Sequence, residues 1–174
     1  HRSLLAGAPR LCEEWGIPVY ASRGEEVTLG ALHALCANLG HPDVEDFSSR
    51  IKWIEDEDRI FVSENTACVR KADETGTMTG MPGGLEFKVL STPGHTAGGV
   101  CYLCREFRKA AASEESNVKE GDGSAVASHE TDKWKVLFSG DTLFAGCIGR
   151  SDLPGGDYTA LMQGIFTKPL CLDG

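Results

Sequence analysis

Two residues of metal-ligating type follow apolar runs in closely similar settings. His95 stands in STPGHTAGG (91–99), directly after LEFKVL, and Asp141 stands in KVLFSGDTLFAG (135–146), directly after a run that reads as a buried strand. Pro93 stiffens the backbone before His95, and Gly94 lets it turn sharply, so both side chains are expected at the rim of a sheet where a strand ends. A neutral imidazole and a carboxylate suit a borderline-hard divalent ion such as zinc or ferrous iron, at about 2.0 to 2.2 Å from each donor. A single histidine near a turn also fits a purely structural, hydrogen-bonded role. The pair alone leaves both readings open.

Other reactive types are present without comparable spacing. Cys101 and Cys104 form a C-x-x-C inside VCYLC, but residues three apart on a strand point to opposite faces and make a poor joint site. His33, His41 and His129 read as solvated or capping residues. The acidic run at Glu55 to Asp58 reads as a solvated turn. Arg150 and Asp152, in GCIGRSDLPGGD, could pair to brace the loop after Asp141, or form a plain surface ion pair.

The elements that must hold these residues follow from periodicity. LLAGAPRLCEEWG (4–16) has helical apolar spacing and ends at Gly16, before a β-rich run over 17–21. A second helix is expected over 28–39, with Thr28 as N-cap and Gly40 beyond its end. Arg50 to Val62 reads as two short strands around a polar turn. LEFKVLST puts Leu85, Phe87 and Val89 on one face, and VCYLC and WKVLFSG are further strands. YTALMQGIF (158–166) is helical, interrupted by Gly164. The stretch at about 105–133 is polar and too long for an ordinary hairpin loop, so it reads as a mobile insertion.

Bulk properties narrow the class. The 174 residues carry 26 acidic and 17 basic side chains, a net charge of −9. That balance argues against nucleic acid as a partner, and one domain over 1–174 is the expectation. Without a run of about 18 apolar residues the chain reads as soluble, with no membrane partner. The seven scattered cysteines suit a reducing compartment, the cytoplasm or an organelle interior.

The two motifs, STPGHTAGGVCYL and then LFSGDTLFAGCIGRSDLPGGD, resemble those of the metallo-β-lactamase superfamily in its hydroxyacylglutathione hydrolase (glyoxalase II)-like branch. That branch carries TPGHTxGS followed by GDTLFxxGxGRxDLPGGD. The resemblance implies an α/β fold, a four-layer αββα sandwich with the site at the open edge between its sheets, incomplete here at both ends. It makes His95 a metal ligand and Asp141 the carboxylate that can bridge two metals and serve catalysis. The family's early signature THxHxDHxxG, aligned on Gly7, puts a ligand histidine on His1 and replaces two ligands by Ser3 and Leu4. A late GHG-type histidine would fall beyond Gly174.

The resemblance further implies zinc as cofactor, one or two ions, with iron or manganese as alternatives. The activity implied is hydrolysis of a small-molecule thioester or related acyl substrate by metal-activated water. The replacements at positions 3 and 4 keep two other readings open: a non-catalytic homologue, and a mononuclear iron enzyme like the persulfide dioxygenases. DLPGGD sides with the glyoxalase branch. Oligomeric state is not legible.

Overall fold

The computed structural model describes residues 2–31, 34, 37–38, 48–64, 66–74, 83–108 and 133–168. Helix α1 (Arg2–Trp15) stops at Gly16, whose φ of 62° is the left-handed geometry that ends helices. The chain then enters β1 (Val19–Ser22), a 3-10 turn at Arg23–Glu25, and α2 (Glu26–Gly30). The second helix therefore starts two residues before Thr28, and its described part ends at Gly30 rather than extending over 28–39. Positions 34, 37 and 38 are again helical.

Strands β2 (Ile51–Ile54) and β3 (Arg59–Ser63) flank the polar turn as expected. They belong to different sheets, however. β2 pairs in parallel with β1, whereas β3 lies between β4 (Thr66–Arg70) and β5 (Gly83–Ser91). β5 continues to β6 (Val100–Arg108) and β7 (Val136–Phe138), giving the antiparallel order β4-β3-β5-β6-β7. A small hairpin, β8 (Leu143–Phe144) with β9 (Cys147–Ile148), follows, and α3 (Tyr158–Thr167) closes the described chain.

β6 runs to Arg108, so residues 105–108 are strand rather than insertion; 109–132 lie outside the described residues. The polar composition misleads here because Arg105 is paired across the sheet. It donates to Glu86 on β5 at 2.7 Å, and Arg59 on β3 donates to the other oxygen of the same carboxylate at 2.7 Å. Glu86 is 2% exposed, and two guanidinium partners are what make such burial tolerable.

Alternation along the strands sorts the core into layers. Ile51 faces Ala8, Val19, Ala21, Leu29 and Trp53, so one side of the β1–β2 pair meets α1 and α2. Its other side offers Ile54 and Tyr20 to Ile60, Phe87, Val89 and Tyr102 of the larger sheet. The far face of that sheet carries Leu90, Cys101 and Leu103 against Trp134 and Leu137. The expected α/β class holds, with helices, a strand pair and a sheet stacked in succession. Among the described residues no helix is long and apolar enough to cross a membrane.

The acidic turn is not simply solvated. Asp58 is 1% exposed, and its carboxylate accepts from Glu55 N at 2.9 Å, Ala72 N at 3.2 Å and Lys71 Nζ at 2.7 Å. Glu57, at a φ of 67°, donates its N–H to Val89 O at 2.9 Å, and Val89 N returns to Asp58 O at 2.8 Å. Charge composition gave no sign of these partners. Asp58→Ala leaves two backbone donors and an ammonium unmatched, and should cost about 3 kcal/mol in urea unfolding; a loss under about 0.5 kcal/mol would show the carboxylate to be dispensable.

Candidate functional site

His95 projects from a loop that has no freedom to wander. β5 ends at Ser91, and Thr92 is fully buried, bonded from its N to Gly99 O at 2.8 Å and from its hydroxyl to Thr142 Oγ1 at 3.1 Å. Gly94 has a φ of 136°, and a methyl there would overlap the backbone of Leu161 and Asp157 at the start of α3. Asp157 N donates to Gly94 O at 2.8 Å, while the Asp157 carboxylate caps α3 through Ala160 N at 2.9 Å. Gly164 does not interrupt α3, which runs through it. Its lack of a side chain lets the helix pass Thr92 at close range.

Asp141 arrives from the end of β7 by a comparable device. Gly140 takes a φ of 52°, Ser139 Oγ donates to Leu143 O at 2.7 Å, and Thr142 N bonds to Ser139 O at 3.0 Å. The Thr92–Thr142 hydrogen bond then ties the two loops together. Sequence reasoning passed over both threonines; the signal was their position beside the two ligand-type residues.

The loops bring His95 Nε2 to 3.4 Å from Asp141 Oδ2. The other ring nitrogen, Nδ1, lies 2.7 Å from the carbonyl oxygen of Arg150. A carbonyl can only accept, so Nδ1 carries the proton. In the neutral ring Nε2 then turns its lone pair toward a carboxylate oxygen. Two electron pairs at that distance are reconciled by a cation, either a ring proton or a metal ion. Donors about 2.1 Å from a tetrahedral ion stand about 3.4 Å apart, which matches the observed 3.4 Å. The donor set therefore fits one edge of a metal's coordination shell.

Exposure is uneven, 12% for the histidine side chain and 34% for the aspartate. Arg150 and Asp152 form a two-pronged pair, Nε and Nη2 each 2.8 Å from a carboxylate oxygen. Hydrogen bonding from Arg150, then from its own backbone N–H, holds the Asp152 carboxyl down at about 2.

Among the described residues, the cysteine candidates do not join this site. His1, His33, His41 and His129 lie outside the described residues. Positions 3 and 4 are in the first turn of α1. Cys101 and Cys104 are both buried, and Cys101 bonds to Thr92 and to Ser139 O. Burial and the Glu106 carboxylate push the Cys104 thiol up, away from the thiolate a metal would need. Among the described residues no group of three His, Cys, Asp or Glu could hold an ion.

The chain is 27% identical over 174 residues to the hydroxyacylglutathione hydrolase GloC of Haemophilus influenzae, covering 99% of this chain and 60% of that one. It is 33% identical over 90 residues to a Bacillus subtilis protein named "Probable metallo-hydrolase YqgX", covering 52% of this chain and 30% of the relative. The chain thus spans 60% and 30% of these relatives' own lengths, less than two thirds of either. No protein-family model matches it. The crystal structure of TTHA1623 in a di-iron-bound form superposes with a TM-score of 0.50 at 21% identity, covering 97% of this chain and 59% of that one, a likeness of fold. Together with the two motifs, these similarities support the metallo-β-lactamase superfamily, on its hydroxyacylglutathione hydrolase-like side.

Two outcomes follow from this geometry. Gly94→Ala forces a methyl into α3 and should lower stability by about 2 kcal/mol or more in thermal or urea unfolding; a neutral substitution would mean that the helix does not fix the loop. Because the folded-state Asp152 carboxyl is depressed, its pairing with Arg150 is complete above the ordinary value of about 3.9 and is lost as pH falls through about 2. Carboxyl carbon shifts should titrate there, and Arg150→Ala should return the midpoint to the ordinary range.

Proposed function

We propose that a chain with the motifs and fold of the metallo-β-lactamase superfamily is a metal-dependent hydrolase, with His95 Nε2 and Asp141 Oδ2 as two ligands of one ion. The observation that carries the reading is the imidazole fixed at Nδ1 by Arg150 O, with Nε2 aimed at the carboxylate from 3.4 Å. Zinc is the favoured ion, since one imidazole and one carboxylate suit it; iron or manganese would accept the same donors. His1 is the proposed third donor. The ion, when bound, supplies an activated water by lowering its pKa from 15.7 to about 7.

The chain's own residues set the conditions for that chemistry. His95 is a neutral donor and Asp141 contributes one negative charge, so the pair alone leaves a divalent ion with net positive charge and the power to polarise a carbonyl. Asp141, the more exposed of the two, faces solvent, from which a small substrate and water would arrive. It is the residue we assign to catalysis as well as to metal binding. Similarity to a hydroxyacylglutathione hydrolase supports a thioester or related acyl compound as the substrate.

Purified protein is expected to carry zinc, iron or manganese at one or more equivalents, and His95→Ala and Asp141→Ala should each lose most of it. Hydrolysis of a model acylglutathione thioester should stop on chelation and return when the metal is restored. Metal content that is absent from the wild type, or unchanged in both variants, would overturn the assignment. Bound metal without chelator-sensitive turnover would instead support the non-catalytic homologue.

A further inference from the structure

We propose that Asp152 is a positioning residue that fixes the tautomer and direction of the His95 imidazole through the backbone of Arg150. The acceptor of the Nδ1 proton is not a side chain but the Arg150 carbonyl, 2.7 Å away, so the orientation of that peptide plane bears directly on how the ring is aimed. Three contacts among the described residues bear directly on the turn that contains it. Gly149 N donates to Thr142 O at 3.1 Å. Gly149 also lies so close to the carbonyl of Asp141 that a methyl on it would overlap that oxygen. These two anchor the start of the turn against the loop that carries the other ligand-type residue.

The third contact closes the turn. Arg150 grips Asp152 with two donors at 2.8 Å each, which forms a ring through both side chains and the backbone between them. The peptide whose carbonyl meets His95 joins residues 150 and 151, so it lies inside that ring. With the grip in place its rotation is restrained; without it the carbonyl can turn to water and leave Nδ1 without its fixed acceptor. Both side chains are well exposed, 60% and 70%, so the pair adds little to global stability. That separates an aiming role from a structural one. An outer partner of this kind keeps a ligand histidine in its metal-binding tautomer.

The consequence for metal binding rests on His95 being a ligand, whereas the tautomer does not. Imidazole nitrogen shifts should therefore be measured on the metal-free protein at a pH where the ring carries a single proton. The wild type should show His95 protonated at Nδ1 alone. Asp152→Asn and Arg150→Ala, the latter removing the guanidinium but keeping the carbonyl, should each give a mixture of tautomers with an unchanged melting temperature. Asp152→Glu should restore the single form. Zinc titration should then show affinity about 10 to 100-fold weaker in the first two variants. Retention of the wild-type tautomer in both would overturn the proposal. If the tautomers respond as stated but zinc leaves the Nε2 shift of the wild type unmoved, the positioning role stands and the ligand assignment falls.

Discussion

The candidate site depends on a crossing of two backbones that has no room for a side chain. Gly94 lies against the first turn of α3, and Asp157 serves both, capping the helix with its carboxylate and binding the loop with its N–H. Helix start and histidine loop are thereby one unit. What holds that unit down is apolar: Leu161 is fully buried and Ile165 nearly so, each contributing about 1.5 to 3 kcal/mol. A hydrogen bond such as Nδ1 to Arg150 O is worth about 1 kcal/mol. Apolar burial, the stronger of the two, sets where the hydrogen bond can form.

The acidic turn between β2 and β3 works on the same unit from the other side. Asp56 accepts from Ser91 N at 2.7 Å and from the Lys168 ammonium just beyond α3. Asp58 and Glu57 engage Val89 through backbone hydrogen bonds. The last residues of β5 are thus pinned just before the chain turns to His95, and the far end of α3 is tied to the same turn. A run of four acidic residues that resembles a solvated surface is the brace for the strand end that presents the imidazole.

The strand ends carrying His95 and Asp141 were legible because their cause is local. A β-rich run followed by Pro-Gly or Ser-Gly must turn, whatever lies nearby. Three other features have causes far away in sequence. Gly164 reads as a helix interruption until Thr92 is known to pass beside it. Arg105 reads as the start of a polar insertion until Glu86 is found across the sheet. β2 and β3 read as neighbours, although four residues between them suffice to carry the chain from one sheet to the next. Periodicity reports which face a residue occupies and is silent on what meets that face. Thr92 and Thr142 escaped notice for this reason, since a threonine beside a strand end is ordinary until its partner arrives from another loop.

The asymmetry of the two donors bears on how the site would fill. The imidazole is nearly buried and its direction is set by a backbone carbonyl, while the carboxylate is about one third exposed. On the proposed reading, the more exposed Asp141 is the donor that a cation from water would reach first, with little desolvation required. His95, already aimed by its hydrogen bond to Arg150 O, would add a donor whose ordering cost is met by folding rather than by binding. Such a division needs the ring to be fixed before the ion comes. The hydrogen bond from Nδ1 to Arg150 O would supply that condition from the side of the ring opposite the carboxylate, which is how the Arg150 loop would bear on the chemistry of the proposed site.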